Sequence, residues 1–126
     1  MPSLYYGDEA GLVGYADPFN RGTYPWGRED GGLVEYFRIL GNIRKDSAVL
    51  RRGKFQPLHF DDSFAVFQRV KGKETIAVAV NRSGDYREIP WERYVPEDAE
   101  VLLTVGGVEG LHGLQPRSAI MVRIQG

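Results

Sequence analysis

The chain has 126 residues, of which 42% are hydrophobic and 26% charged, and its net charge at pH 7 is −1. A chain of this length buries roughly two-thirds of the surface its unfolded form exposes, enough for one core. Basic and acidic residues are interspersed, so no field of one sign exists to draw in nucleic acid or an anionic membrane. The absence of cysteine excludes disulfide staples, thiol nucleophiles and thiolate metal sites.

No apolar run approaches the ~20 residues that span a bilayer, and the N-terminus lacks the basic-then-apolar pattern of a signal peptide. With the missing cysteines, this sets the expected location as cytoplasmic. In chain order, Leu4-Tyr5-Tyr6 reads as a short strand that runs into Gly7-Asp8-Glu9. A long irregular loop follows, carrying Asp17, Pro18, Asn20, Arg21, Tyr24 and Trp26. Loops that hold carboxylates, an arginine and aromatics beside a strand end commonly form binding sites.

Residues 29–47 read as one amphipathic helix. Leu33, Phe37, Leu40 and Ile43 fall on one face. Glu29 and Asp30 stand where the N-terminal dipole favours negative charge, and Arg44 and Lys45 where the C-terminal end favours positive charge. Gly31 and Gly32 weaken the first turn. The stripe predicts core packing.

From residue 54 onward the pattern changes to strands separated by turns, over 55–60, 63–70, 75–81, 86–89, 100–105 and 119–124. The run Ile76-Ala77-Val78-Ala79-Val80 is almost wholly apolar and predicts a central strand covered on both faces. Pro90 favours an edge or a strand end. Gly106-Gly107-Val108-Glu109-Gly110 lacks the lysine and hydroxyl residue of a phosphate loop and reads as a flexible connection. The expected fold is mainly β, a small antiparallel sandwich behind one helix.

Few constellations could carry chemistry. Asp8 and Glu9 are adjacent, so on extended chain they point to opposite sides and cannot flank one bond. Asp17 and Arg21, four apart, can form a charge-assisted pair and offer oxygens and a guanidinium to a hydroxyl-rich ligand. Tyr15, Tyr24 and Trp26 add flat faces of the kind on which sugar rings stack. Equally, the loop could use these groups simply to hold itself together. His59 and His112 have no partner at metal-ligand spacing, so no metal and no cofactor are expected. Asn81-Arg82-Ser83 matches the glycosylation acceptor pattern, which arises often by chance. The strand-zone aromatics Tyr86, Trp91 and Tyr94 are expected to be exposed, but they are too few and too close in sequence to make a convincing carbohydrate-binding platform.

The residues Pro2-Ser3-Leu4-Tyr5-Tyr6-Gly7-Asp8-Glu9, Gly11, Gly14, Asp17-Pro18-Phe19-Asn20-Arg21 and Tyr24-Pro25-Trp26 resemble the eighth-strand region of alpha-amylase family glycoside hydrolases (glycoside hydrolase family 13). The similarity is to the neopullulanase, cyclomaltodextrinase and maltogenic amylase subgroup. Leu33-Val34-Glu35-Tyr36-Phe37-Arg38 through Leu50-Arg51-Arg52-Gly53 resembles the last barrel helix and its exit, and Ala77-Val78-Ala79-Val80-Asn81-Arg82-Ser83 a strand and turn of the C-terminal domain. The resemblance implies a remnant of the last strand, loop and helix of a (β/α)8 barrel over 1–50 and a Greek-key C-terminal β-sandwich over 51–126. It also implies retaining hydrolysis of α-1,4 or α-1,6-glucosidic bonds in an intact enzyme, with the catalytic carboxylates upstream of Met1 and this chain inactive alone. Asp17 and Arg21 match residues that contact the α-glucan or maltooligosaccharide substrate. Without neighbouring strands, residues 1–28 are expected to be disordered or packed non-natively, including against another copy. The alternative is a stand-alone carbohydrate-binding or structural β-sandwich module.

Overall fold

A computed structural model describes residues 1–91 and 94–126. The chain forms two compact units, Met1–Asp46 and Ser47–Gly126.

The first unit contains two single-turn 3₁₀ helices, Asp8–Ala10 and Phe19–Arg21, and the helix α1, Gly31–Asp46. The expected helix therefore starts two residues late. Asp30 sits just ahead of it, where its carboxylate accepts the Leu33 N–H at 3.1 Å while its carbonyl accepts the Val34 N–H at 3.0 Å. That is an N-cap, and it explains how two glycines are tolerated in the opening turn. No residue of α1 is buried, and Leu33 and Ile39 are 36% and 39% exposed, so the core packing predicted by the stripe is not reached. Residues 4–6 form no strand. An isolated extended segment has no ladder to satisfy its backbone, and here Tyr5 turns back so that its N–H bonds the Asp8 carboxylate at 2.9 Å.

The second unit opens with the short helix α2, Ala48–Arg52, capped by Ser47, whose hydroxyl accepts the Leu50 N–H at 3.2 Å. Strands follow as β1 Lys54–Phe60, β2 Phe64–Lys71, β3 Glu74–Asn81, β4 Arg87–Glu88, β5 Glu100–Val105, β6 Val108–Glu109, β7 Gly113–Leu114 and β8 Ser118–Gln125. β1-β2-β3-β8-β5 form a five-stranded sheet and β4-β7-β6 a three-stranded one, with every pairing antiparallel. The order requires crossovers between layers, as a sandwich does. The β2–β3 and β3–β8 ladders run without interruption. β1 shifts register between Pro57 and His59, and β5 between Val101 and Leu103.

Period-two alternation builds the core. Phe64 and Val66 on β2, Ala77 and Ala79 on β3, and Ile120 and Val122 on β8 turn one face inward, where they join Ile89, Trp91, Val95 and Leu114. On the opposite face Ile76 is fully buried, and α2 packs on β2 and β3 with Val49 1% exposed. β3 is therefore central and covered on both faces, as its apolar run predicts. Arg69 on β2 ties α2 down by donating to the carbonyls of Leu50 and Gly53 at 3.0 and 3.3 Å.

The glycine-rich segment 106–110, expected to be a flexible connection, instead carries β6, which pairs with β7 just beyond it. At Gly113 an added β-carbon would fall 2.0 Å from the Tyr86 hydroxyl, so the absence of a side chain lets that ring close over the small sheet. Asn81 fastens the two sheets together. It is 1% exposed, and its Nδ2 donates among the carbonyls of Asp85, Leu114 and Gln115 at 2.8, 3.2 and 3.2 Å. Its Oδ1 accepts from Ser83 N–H and Oγ at 3.0 and 2.7 Å. The glycosylation pattern thus falls on an amide nitrogen that the folded chain already uses.

Candidate functional site

The loop between the two 3₁₀ turns brings the predicted pair together. Arg21 Nη2 donates to Asp17 Oδ2 at 3.3 Å, and the two side chains are 68% and 64% exposed. A pair so open to water contributes little to stability. It does orient the guanidinium while leaving its other donors facing solvent, a suitable disposition for sugar hydroxyls.

Two features fix the backbone beneath this pair. The Tyr6 hydroxyl donates to the Gly22 carbonyl at 2.9 Å and shares the same proton with the Asn20 carbonyl at 3.4 Å. Gly14 packs flat against the 3₁₀ turn, where a β-carbon would come within 2.6 Å of Asn20 Cα. Around them lies a small cavity of about 90 Å³, lined by Tyr5, Tyr6, Asp8, Gly14, Asn20 and their neighbours. The Asn20 side-chain oxygen is buried without a hydrogen-bond partner. Neither the Tyr6 contact nor the Gly14 approach has a periodic or spacing signal in the sequence, because both join segments that are local neighbours only after the loop closes.

The aromatics occupy two sites. Tyr24 and Trp26 lie with ring centroids 4.5 Å apart, and Trp26 is 80% exposed. Partial burial, together with the nearby carboxylates of Glu9 and Glu29, raises the Tyr24 hydroxyl pKa. Tyr5 and Tyr6 form a second pair at 4.6 Å. Partial burial first, then Tyr6 and Asp17, raise the Tyr5 hydroxyl pKa. Tyr15 is 89% exposed. On the β unit, Trp91 is fully buried with its Nε1–H donating to the Leu111 carbonyl at 2.7 Å. It is a core residue and unavailable to a sugar.

A cluster that the sequence reading missed lies at the β1–β2 turn. Asp61 Oδ2 meets His59 Nε2 at 3.0 Å and Arg87 Nη2 at 2.7 Å, while its Oδ1 accepts the Ser63 N–H at 3.0 Å. The His59 contact, then the Ser63 amide and Arg87, hold the Asp61 carboxyl well below the usual carboxylate range. Arg87 also lies over the Phe64 ring at 4.8 Å. Ser63 Oγ contacts Asp61 at 3.5 Å rather than the histidine, so no nucleophile–base pair results. Among the described residues no group of three or more His, Asp or Glu is placed to hold a metal ion, and no helix is long and apolar enough to cross a membrane.

No family model matches the chain. Known proteins do. An amylopullulanase of Thermoanaerobacter thermohydrosulfuricus is 33% identical over 138 aligned residues, covering 87% of this chain and 9% of that protein. A cyclomaltodextrinase of Geobacillus thermopakistaniensis (strain MAS1) is 37% identical over 93 residues, covering 71% of this chain and 16% of its own length. Among solved structures, an Anoxybacillus alpha-amylase superposes with a TM-score of 0.79 at 30% identity, over 96% of this chain and 28% of that one. The chain therefore spans a small part of each relative. It belongs to the alpha-amylase family of glycoside hydrolases. Within the family it is of the neopullulanase and cyclomaltodextrinase type, corresponding to the C-terminal region.

Proposed function

We propose that this chain is the C-terminal part of an α-glucan-acting glycoside hydrolase. Ser47–Gly126 serves as its stabilising β domain, and Met1–Asp46 as the last portion of its catalytic barrel. The observation that carries this reading is the contrast in burial between the units. In the first, Ala10 is the one buried hydrophobic residue, while Leu4, Tyr5, Tyr6, Val13, Tyr15, Phe19 and Trp26 are exposed. A segment of this size without a core is not a self-sufficient fold; its apolar surface is that of a piece shaped to pack on more protein. The second unit has a closed core and its own caps.

In the intact enzyme, Asp17 and Arg21 contact sugar units beside the cleaved bond and position the substrate. Retaining hydrolysis needs a nucleophilic carboxylate and a carboxylic acid roughly 5 Å apart across the bond. Asp8 and Glu9 are consecutive residues of one 3₁₀ turn, so their side chains diverge and do not flank one bond. The chain alone is therefore inactive, and the reacting carboxylates come from the rest of the barrel. Incubating the polypeptide with cyclodextrin, pullulan and a chromogenic maltoside tests this. No turnover above blank is expected, and measurable hydrolysis would overturn the reading.

A further inference from the structure

We infer that Tyr6 is a positioning residue for the saccharide contact of Arg21, an inference that rests on the substrate-binding reading of Asp17 and Arg21. The Tyr6 hydroxyl bonds the carbonyls of Asn20 and Gly22 at 3.4 and 2.9 Å, the residues on either side of Arg21. Those bonds bracket one residue of a three-residue 3₁₀ turn. Such a turn is otherwise held by two local backbone bonds, Phe19 N–H to Ala16 O at 2.8 Å and Arg21 N–H to Pro18 O at 3.0 Å, and short 3₁₀ segments have poor hydrogen-bond geometry of their own.

The ion pair cannot supply the missing rigidity, because Arg21 and Asp17 are both about two-thirds exposed at 68% and 64%, and pairs of that kind contribute little. Tyr6 reaches the turn from more than ten residues upstream and adds a constraint that the turn lacks. Gly14 presses on the same turn from within the loop. Together they fix where the Arg21 Cα sits, and hence where a planar guanidinium can meet a sugar hydroxyl. Arg21 makes the contact and Tyr6 sets its position.

The test is a double-mutant cycle on the full chain with maltoheptaose as probe, read by calorimetry. Tyr6→Phe removes the hydroxyl and keeps the ring. It should weaken binding roughly three- to tenfold, the range of one net hydrogen bond, and the same change in an Arg21→Ala background should add no further loss. Gly14→Ala, which forces a methyl against Asn20 while leaving Tyr6 intact, should reproduce the weakening. Two results would overturn the inference while leaving the substrate reading in place: Tyr6→Phe binding as the parent does, or Tyr6→Phe costing as much without Arg21 as with it. If Arg21→Ala leaves affinity unchanged, or the parent shows no binding at millimolar sugar, the substrate reading itself fails and the inference falls with it.

Discussion

Single residues in this chain separate cleanly into those that hold the fold and those offered to solvent. Asp61 is of the first kind. Three donors converge on its carboxylate, and its native pKa lies below that of an unfolded aspartate. The ionised carboxylate therefore favours the folded state above the unfolded value of about 3.9, and that contribution fades as pH falls through and below it toward the native value. A carboxyl-carbon NMR titration should show Asp61 still ionised at pH 4, where a free aspartate is about half protonated; a midpoint near 4 would show that the cluster does not hold the charge. Trp26 and Trp91 form the opposite pair, one 80% exposed and one fully buried. The sequence puts both in aromatic, turn-flanked stretches and offers nothing to separate them. What decides is a partner: the Trp91 indole N–H has the Leu111 carbonyl to bond, and that carbonyl lies across a connection whose path no local pattern reveals.

At the scale of elements, what could be read from the sequence was whatever has a period. α1 and the long strands β1, β2, β3, β5 and β8 fall where spacing and alternation place them, the helix by its 3.6-residue apolar stripe and the strands by their period of two. The two-residue strands β6 and β7 are too short to show alternation, and the glycines flanking β6 read as a flexible connection. Gly113 in β7 is a packing position beneath Tyr86. Residues 4–6 have strand composition but no ladder, since a strand is a relation between segments and not a property of one. Asp17 and Arg21 were legible because four residues of loop bring them within reach. Tyr6 and Gly14 were not, because loop closure alone makes them neighbours of Arg21. Between elements, Asn81 is the main polar tie, joining the end of β3 to the β7 carbonyl of Leu114. Asn81→Ala should lower stability by about 2 to 3 kcal/mol in urea unfolding, since several buried polar groups lose their partner at once. A change under 1 kcal/mol would mean that those carbonyls find other donors.

At the scale of the molecule, the two units differ in kind, one with a closed core and one whose apolar residues face outward. A polypeptide of residues 47–126 should therefore unfold cooperatively, with coincident fluorescence and circular dichroism transitions, whereas residues 1–46 alone should show no cooperative transition. Cooperative unfolding of the 1–46 piece would contradict the view that it depends on further protein for its core.

The register shifts in β1 and β5 have a consequence for a chain that exposes this much apolar surface. These are the two outermost strands of the five-stranded sheet, and an outermost strand presents unpaired N–H and C=O groups on which another extended segment can dock. A bulge twists that row out of register, and Pro57 removes one donor from β1 altogether. The two interruptions fall on the strands that could template aggregation, while the interior ladders of β2 with β3 and β3 with β8 are left whole. The β unit thus carries its own guard against sheet-to-sheet growth, one that operates whether or not the rest of an enzyme is there to cover it.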